Sequence, residues 1–432
     1  MAASRSLTAM ATWSISVSSM TRNVVRSDQP ESHLGAPIRQ DDRSVTELTG
    51  GTSHMTTMTK AYAITAEAVA AETEANGGDI AAIDVSKVVQ LDDLELRDLG
   101  PRDVKLKILA VSAEHNIDHA ATADTINIAE ARGGKIYPGN SAVGEVIEVG
   151  AEVTAFTAGD VVITHCNGDP DRFGFPLRIW AYDMPDSIGW YSKEAVVEDW
   201  QIIKAPLDSG LNLWEIAALP LRAPTAYHLW RRALGIYRVK VPYERQARLN
   251  VLSFGGGVGE LFLMLAKAEG HNAFFCAGSK ERRDALEKHG IVGIDQKQFN
   301  RFASSDDVKA FNKHVKGLTD GVGMHLVCDM LRGPVFEAGL AVQARLGVNV
   351  SAGWQLSQVV SYNSTVQSVK QVTIDHTHYE TPEGCEAATE LYGSVFKPTI
   401  HDEIYSFEDL PRCFQEMHEN TQTGIPIIRV AD

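Results

Sequence analysis

The stretch Leu249-Asn-Val-Leu-Ser-Phe-Gly-Gly-Gly-Val-Gly259 runs an apolar strand into a glycine cluster, and together with the next twenty residues it restricts the fold more than any other part of the chain. Glu-Leu-Phe-Leu-Met-Leu-Ala-Lys-Ala-Glu-Gly270 carries apolar residues at helical spacing, and Asn272-Ala-Phe-Phe-Cys-Ala-Gly-Ser279 reads as a second buried strand. Strand, glycine loop, helix and strand make one βαβ unit. Gly255, Gly256, Gly257, Val258 and Gly259 then stand where a dinucleotide pyrophosphate is held. The backbone must turn tightly and approach the phosphates, whose charge lies at the amide-rich end of the helix.

Further strands are expected at 291–294, 324–329 and 346–350, separated by helical stretches, which implies a parallel sheet with helices on both faces. Upstream the pattern changes to short alternating runs with Gly and Pro punctuation. Thr59–Thr65, Val104–Val111 and Ser141–Gly150 read as strands of a β-rich region. Ala217–Trp230 reads as a helix leading into the βα repeats, and Ile425–Val430 as a strand that rejoins the first region. The segment from Gly333-Pro-Val-Phe336 to Ala352 could contribute an edge strand to an oligomer. The boundaries expected are 1–54 as a disordered leader or a mis-set start, 55–222, 223–370 and 371–432. Residues 1–54 are rich in Ser, Thr and Met with no acidic residue before Asp28; their arginines would also suit a transit peptide, and Met55 or Met58 would then be the working initiator.

A formal charge of −16 opposes nonspecific association with nucleic acid or anionic lipid, both polyanions. Cys166, Cys276, Cys328, Cys385 and Cys413 show no C-x-x-C spacing, so neither a disulfide framework nor a structural zinc cluster is expected. A reducing, cytoplasmic setting suits that usage. No apolar run reaches the roughly 18 residues of a membrane span.

The succession Gly144-Glu-Val-Ile-Glu-Val-Gly150, Phe156-Thr-Ala-Gly-Asp-Val-Val162, Ala218-Leu-Pro with Thr225-Ala-Tyr227, the glycine loop and Gly347-Val-Asn-Val-Ser-Ala-Gly353 resembles the medium-chain dehydrogenase/reductase superfamily. The resemblance runs from about residue 59 to 432. It implies an α/β fold in which a GroES-like β-rich catalytic domain accompanies a Rossmann doubly wound parallel sheet, with the site in the cleft between them. Zinc-dependent members carry a catalytic Cys where this chain reads Ser112-Ala-Glu-His-Asn-Ile-Asp-His119. His115, Asp118, His119 and His165 could in principle ligate a metal, but with no cysteine within Ser112–His119 the chain resembles the zinc-free branch.

Arg178-Ile-Trp-Ala-Tyr-Asp183 and Val372-Thr-Ile-Asp-His376 are similar to segments of crotonyl-CoA carboxylase/reductases. That resemblance implies site roles for Tyr182, Asp183 and His376, with the family's active-site Asn falling somewhere in Glu114, His115 and Asn116. Tyr182 stands where the family has Phe, and Asp183 where it has Glu. These departures, with the shortened glycine loop, lead us to expect simple reduction over carboxylation.

After the second Rossmann strand the chain reads Ala277-Gly-Ser-Lys-Glu-Arg-Arg283, without the acid usual at the start of that turn in NAD-preferring enzymes. Ser279, Lys280, Arg282 and Arg283 are the candidates for the 2′-phosphate, so NADPH is the expected cofactor. Thr225 and Tyr227 are expected to seat the nicotinamide. The implied reaction is NADPH-dependent reduction of a 2-enoyl thioester carried on coenzyme A or a carrier protein, by a homo-oligomer, with His115 or Asn116 orienting the carbonyl or the nicotinamide. A zinc-free quinone or enone reductase, and a nucleotide-binding protein with little catalysis, are the alternatives.

Overall fold

The structure is a computed structural model that describes residues 57–123, 127–165, 168, 170–179, 189–353, 355–357 and 359–431. The leader expected at 1–54 lies outside the described residues, as do Cys166, Tyr182 and Asp183.

The parallel sheet anticipated from the glycine-loop unit has six strands. Their order in space is Val292–Asp295, Asn272–Ala277, Asn250–Phe254, Met324–Asp329, Gln343–Ser351 and Thr373–His376. Counted by occurrence this is 3-2-1-4-5-6, the doubly wound arrangement, and the order reverses beside Asn250–Phe254. Ligands of such sheets collect beyond the carboxyl ends of the strands at that reversal, which is where the three glycines follow Phe254. The central strand is buried along its whole length because both faces are covered. Val251 packs into the layer of Trp230, Phe262 and Val350, whereas Leu252 and Phe254 pack against Phe302, Phe311 and Val335.

The stretch Gly333–Ala352 departs from expectation. Its first part is the helix Pro334–Ala341, and the strand after it is interior. The edge belongs to Thr373–His376, which pairs in parallel with it from Val348↔Thr373 to Ser351↔His376. Four mixed polar and apolar residues are too few for a strand period to declare itself, so this edge was hidden.

The β-rich region is built around Asp103–Ser112. This strand pairs antiparallel with Ala142–Val149, with Glu194–Glu198 and, at its end, with Ile425–Arg429. The last pairing brings the end of the chain back into the first sheet, as the apolar run at 425–430 indicated. Ile400–Ser406 joins the same sheet beside it. A smaller sheet of Val89–Glu95, Met58–Thr65 and Lys135–Ile136 closes one side. No helix among the described residues is long and apolar enough to cross a membrane.

Candidate active site

A cleft of about 1050 Å³ opens where the glycine loop faces the β-rich sheet. Gly255 and Gly257 adopt positive φ of 79° and 62°, which L side chains avoid, so the turn into the helix Val258–Ala268 depends on glycine. Gly256 and Gly257 also leave room for two arginines. A Cβ on Gly256 would overlap the guanidinium of Arg282, and one on Gly257 would lie 3.1 Å from Arg222 Nε. Two cations therefore flank a helix N-terminus whose cap residue offers no side-chain hydrogen bond. That is the charge distribution an anion needs.

Arg222 enters from the first turn of the long helix Arg222–Lys240 and is buried. Its Nη1 donates to Ser112 Oγ at 3.0 Å, Ala218 O at 3.1 Å and Glu114 Oε1 at 3.3 Å, while Nη2 donates to Ala113 O at 2.7 Å. Glu114 is equally buried and accepts from Ser112 Oγ at 2.6 Å and from the Tyr191 hydroxyl at 3.2 Å. Burial raises the Glu114 pKa, and the arginine opposes that rise. Sequence reading passed over Arg222, although an arginine inside the apolar stretch Ala217–Trp230 was a legible signal of a buried partner.

The end of the cleft beside the helix Lys280–Glu287 sorts the basic cluster. Ser279 caps the helix Lys280–Glu287, accepting from Arg282 N at 3.3 Å, and both Ser279 and Arg282 line the cleft. Arg282 Nε also donates to Thr423 O at 3.3 Å, tying this helix to the C-terminal segment. Lys280 instead turns to Asp284 and is exposed. Arg283 donates to Ala277 O and to Asp295, and does not line the cleft. Three lining residues were missed: Lys297, whose Cε lies 3.6 Å from a Cβ position on Gly278, Arg301, and the acid Glu281, which accepts from Ser279 Oγ at 2.9 Å.

At the opposite end, His115 and Asn116 begin the helix His115–Thr122 and line the cleft. Burial, aided by the positive charge of Arg282, pushes the His115 pKa down to about 4, so the imidazole is neutral at physiological pH. Gln355 Nε2 lies 3.4 Å from Nδ1 and is the donor, which leaves the ring proton on Nε2. Asn116 Nδ2 donates to Asn140 Oδ1 at 2.6 Å, while its buried Oδ1 has no partner. Thr225 lines the cleft and Tyr227 does not; the latter lies beneath the Arg231 guanidinium. His376 ends the half-buried edge strand, with Nδ1 3.5 Å from Arg332 Nη2, and is not part of the cleft lining. The structure thus does not bring His376 to His115 and Asn116.

Asp118 and His165, two of the candidate metal donors, are engaged elsewhere. His165 Nε2 bonds Trp200 O at 2.7 Å. Asp118 accepts from His418 Nδ1 at 2.8 Å, which raises the His418 pKa. A raised histidine pKa contributes stability that is fully present below the unfolded value and is lost as pH rises through the folded one. The difference in melting midpoint between wild type and His418→Gln should therefore shrink as pH is raised from about 6 to about 9. A pH-independent difference would refute the ion pair.

Residues 100–207 match the alcohol dehydrogenase GroES-like domain. The 2-octenoyl-CoA carboxylase reductase solved in complex with NADP and 2-octenoyl-CoA superposes with a TM-score of 0.72 at 20% identity, over 86% of this chain and 87% of that one. The chain has the medium-chain dehydrogenase/reductase fold. Among sequence relatives, cinnamyl alcohol dehydrogenase 5 of Arabidopsis thaliana is 30% identical over 249 residues, 52% of this chain and 65% of that protein. The match thus spans just under two thirds of that relative's length. Crotonyl-CoA carboxylase/reductase of Cereibacter sphaeroides is 23% identical over 362 residues, 77% of this chain and 81% of that protein.

Proposed function

We propose that this medium-chain dehydrogenase/reductase fold serves an NADPH-dependent reductase of a 2-enoyl thioester. The observation that carries the reading is the glycine loop set between Arg222 and Arg282 at the wall of the 1050 Å³ cleft. The described residues fit a dinucleotide: the loop leaves Gly256 bare beside a guanidinium, and Asn116 Oδ1 is an unpartnered acceptor at the other end. NADPH is favoured over NADH because Lys297 and Arg301 outnumber Glu281 at the end of the cleft beside the helix Lys280–Glu287, which would take the adenosine. The structural neighbour solved with NADP and 2-octenoyl-CoA supports both the cofactor and the thioester class.

The bound cofactor would supply a hydride. Asn116 Oδ1 would accept from its carboxamide and fix the ring face, with Thr225 beside it. Hydride transfer to the β-carbon would leave an enolate, and His115 Nε2–H would serve as the donor to its oxygen. Neutral imidazole suits this task, since it donates without carrying charge into a buried pocket.

A turnover screen with NADPH against crotonyl-CoA, 2-octenoyl-CoA, cinnamaldehyde and a simple quinone tests the reading. Activity on the thioesters is expected, with little label fixed from bicarbonate. Turnover confined to the aldehyde or the quinone would overturn it. Lys297→Ala should weaken NADPH about tenfold or more and NADH little, because one charge-assisted phosphate contact contributes about 1.5–3 kcal/mol. Arg282, which stands against Gly256 on the pyrophosphate side, should when changed to alanine weaken both.

A further inference from the structure

The geometry points to Glu260 as the group that takes up a proton when the dinucleotide binds, so that affinity for the pyrophosphate falls as pH rises; the inference rests on the dinucleotide reading above. Glu260 is the third residue of the helix that begins at the glycine loop, and it is 5% exposed. One carboxylate oxygen lies 3.2 Å from the Cβ position of Gly256, beside the Arg282 guanidinium and directly behind the surface a pyrophosphate would cover. A glutamate there is a resident anion at the anion site.

The local charges make this carboxylate consequential. Arg222 is already paired with Glu114, and Arg282 with Glu260 brings the set to zero before a ligand carrying two negative charges arrives. A buried carboxylate next to incoming phosphates is a like-charge contact, which favours the protonated form. Glu114 is a poorer acceptor for that proton. It has Arg222 within 3.3 Å and donors from Ser112 and Tyr191, whereas Glu260 has the Gly257 backbone N–H and only the more distant pull of Arg282 and Arg222. Burial already raises the Glu260 pKa in the free protein.

The groups facing Glu260 from neighbouring elements are Arg222 on the long helix and Arg282 on the helix Lys280–Glu287; beyond these arginines, Glu114 pairs with Arg222 and His115 feels the charge of both. His115, held near 4, remains neutral between pH 6 and 9 unless the ligand shifts it. His119, His378, Glu281, Lys297 and Arg301 line the cleft farther off. A Glu260 variant separates its proton from theirs.

The experiment is isothermal titration of the full chain with ADP-ribose, which has the pyrophosphate but neither nicotinamide nor 2′-phosphate. It is run between pH 6.5 and 8.5 in two buffers of different ionisation enthalpy. Wild type should take up a substantial fraction of one proton per site, with affinity falling by up to tenfold per pH unit. Glu260→Gln should bind more tightly than wild type at pH 8.5, show a flat profile and take up no proton. Glu260→Met, which fills the same space without charge, gives the same readout should the first variant not fold. Binding without proton uptake in wild type, or uptake retained in either variant, overturns the inference and leaves the dinucleotide reading standing. No binding at any pH, in wild type or variants, overturns the dinucleotide reading itself.

Discussion

Glu114→Ala should destabilise the protein by about 3–5 kcal/mol, because it strands a buried guanidinium. Arg222 and Glu114 are 7% and 2% exposed, and no water-facing rotamer relieves the charge while its Nη atoms are fixed to Ser112 Oγ, Ala113 O and Ala218 O. For a body of this size that loss lowers the melting midpoint by on the order of 5 °C. The double variant Glu114→Leu with Arg222→Met is the decisive companion. Replacing both charges with apolar side chains of similar volume should restore most of the stability, since the attraction within a buried pair barely offsets the desolvation of its members. Dinucleotide affinity should not recover with it, because the cation beside Gly257 is gone. A double variant as unstable as the single one would mean that the site is held by hydrogen bonds and shape, with the charge pair contributing little.

The same pair shows which parts of the molecule were legible in the sequence. The doubly wound sheet was readable because its strands are apolar on both faces and its helices carry a 3.6-residue apolar period, so local pattern and tertiary burial coincide. Glycines were readable because a loop that turns through positive φ at Gly255 and Gly257 admits little else. The cations facing that loop were not. Arg222 lies 33 residues before Gly255 in the chain and reaches the loop only because two helices pack side by side on one face of the sheet, where Trp230 meets Phe262 at 5.3 Å between ring centroids. Lys297 arrives from beyond the third strand for a similar reason. Within the basic cluster Ser279–Arg283, composition indicated positive charge, yet helical geometry sends Arg282 toward the cleft and sends Lys280 and Arg283 to Asp284 and Asp295. His376 differs in the opposite direction. A motif similarity placed it at the chemistry, whereas it ends the half-buried edge strand and does not line the cleft. Spacing along a chain reports a side chain's neighbours within its own element, and says little about which face of another element it will meet.

Gly256→Val should remove dinucleotide binding by a hundredfold or more while leaving the fold nearly as stable as wild type. Gly256, unlike its two neighbours, does not have a positive φ, so a side chain there carries no backbone strain. What the new side chain meets is the far end of Arg282, which can swing toward solvent, and at 3.2 Å a carboxylate oxygen of Glu260, which need give by only a few tenths of an ångström. The fold therefore tolerates the change, whereas Gly257→Ala, at φ 62° and 3.1 Å from Arg222, should lower the melting midpoint as well. Binding suffers twice from valine at 256. The pyrophosphate loses its close approach to the loop amides, and Arg282, driven off the loop, loses its bond to Thr423 O and with it one tie between the sheet that holds the glycine loop and the C-terminal segment. A hundredfold loss corresponds to about 2.7 kcal/mol, within reach of one charge-assisted contact plus a steric clash. Titration of NADPH into the variant, monitored by nicotinamide fluorescence alongside a thermal scan, reads both quantities. If affinity stays within threefold of wild type while the melting midpoint holds, the dinucleotide does not lie over this loop, and the roles given to Arg222, Arg282 and Glu260 fall together.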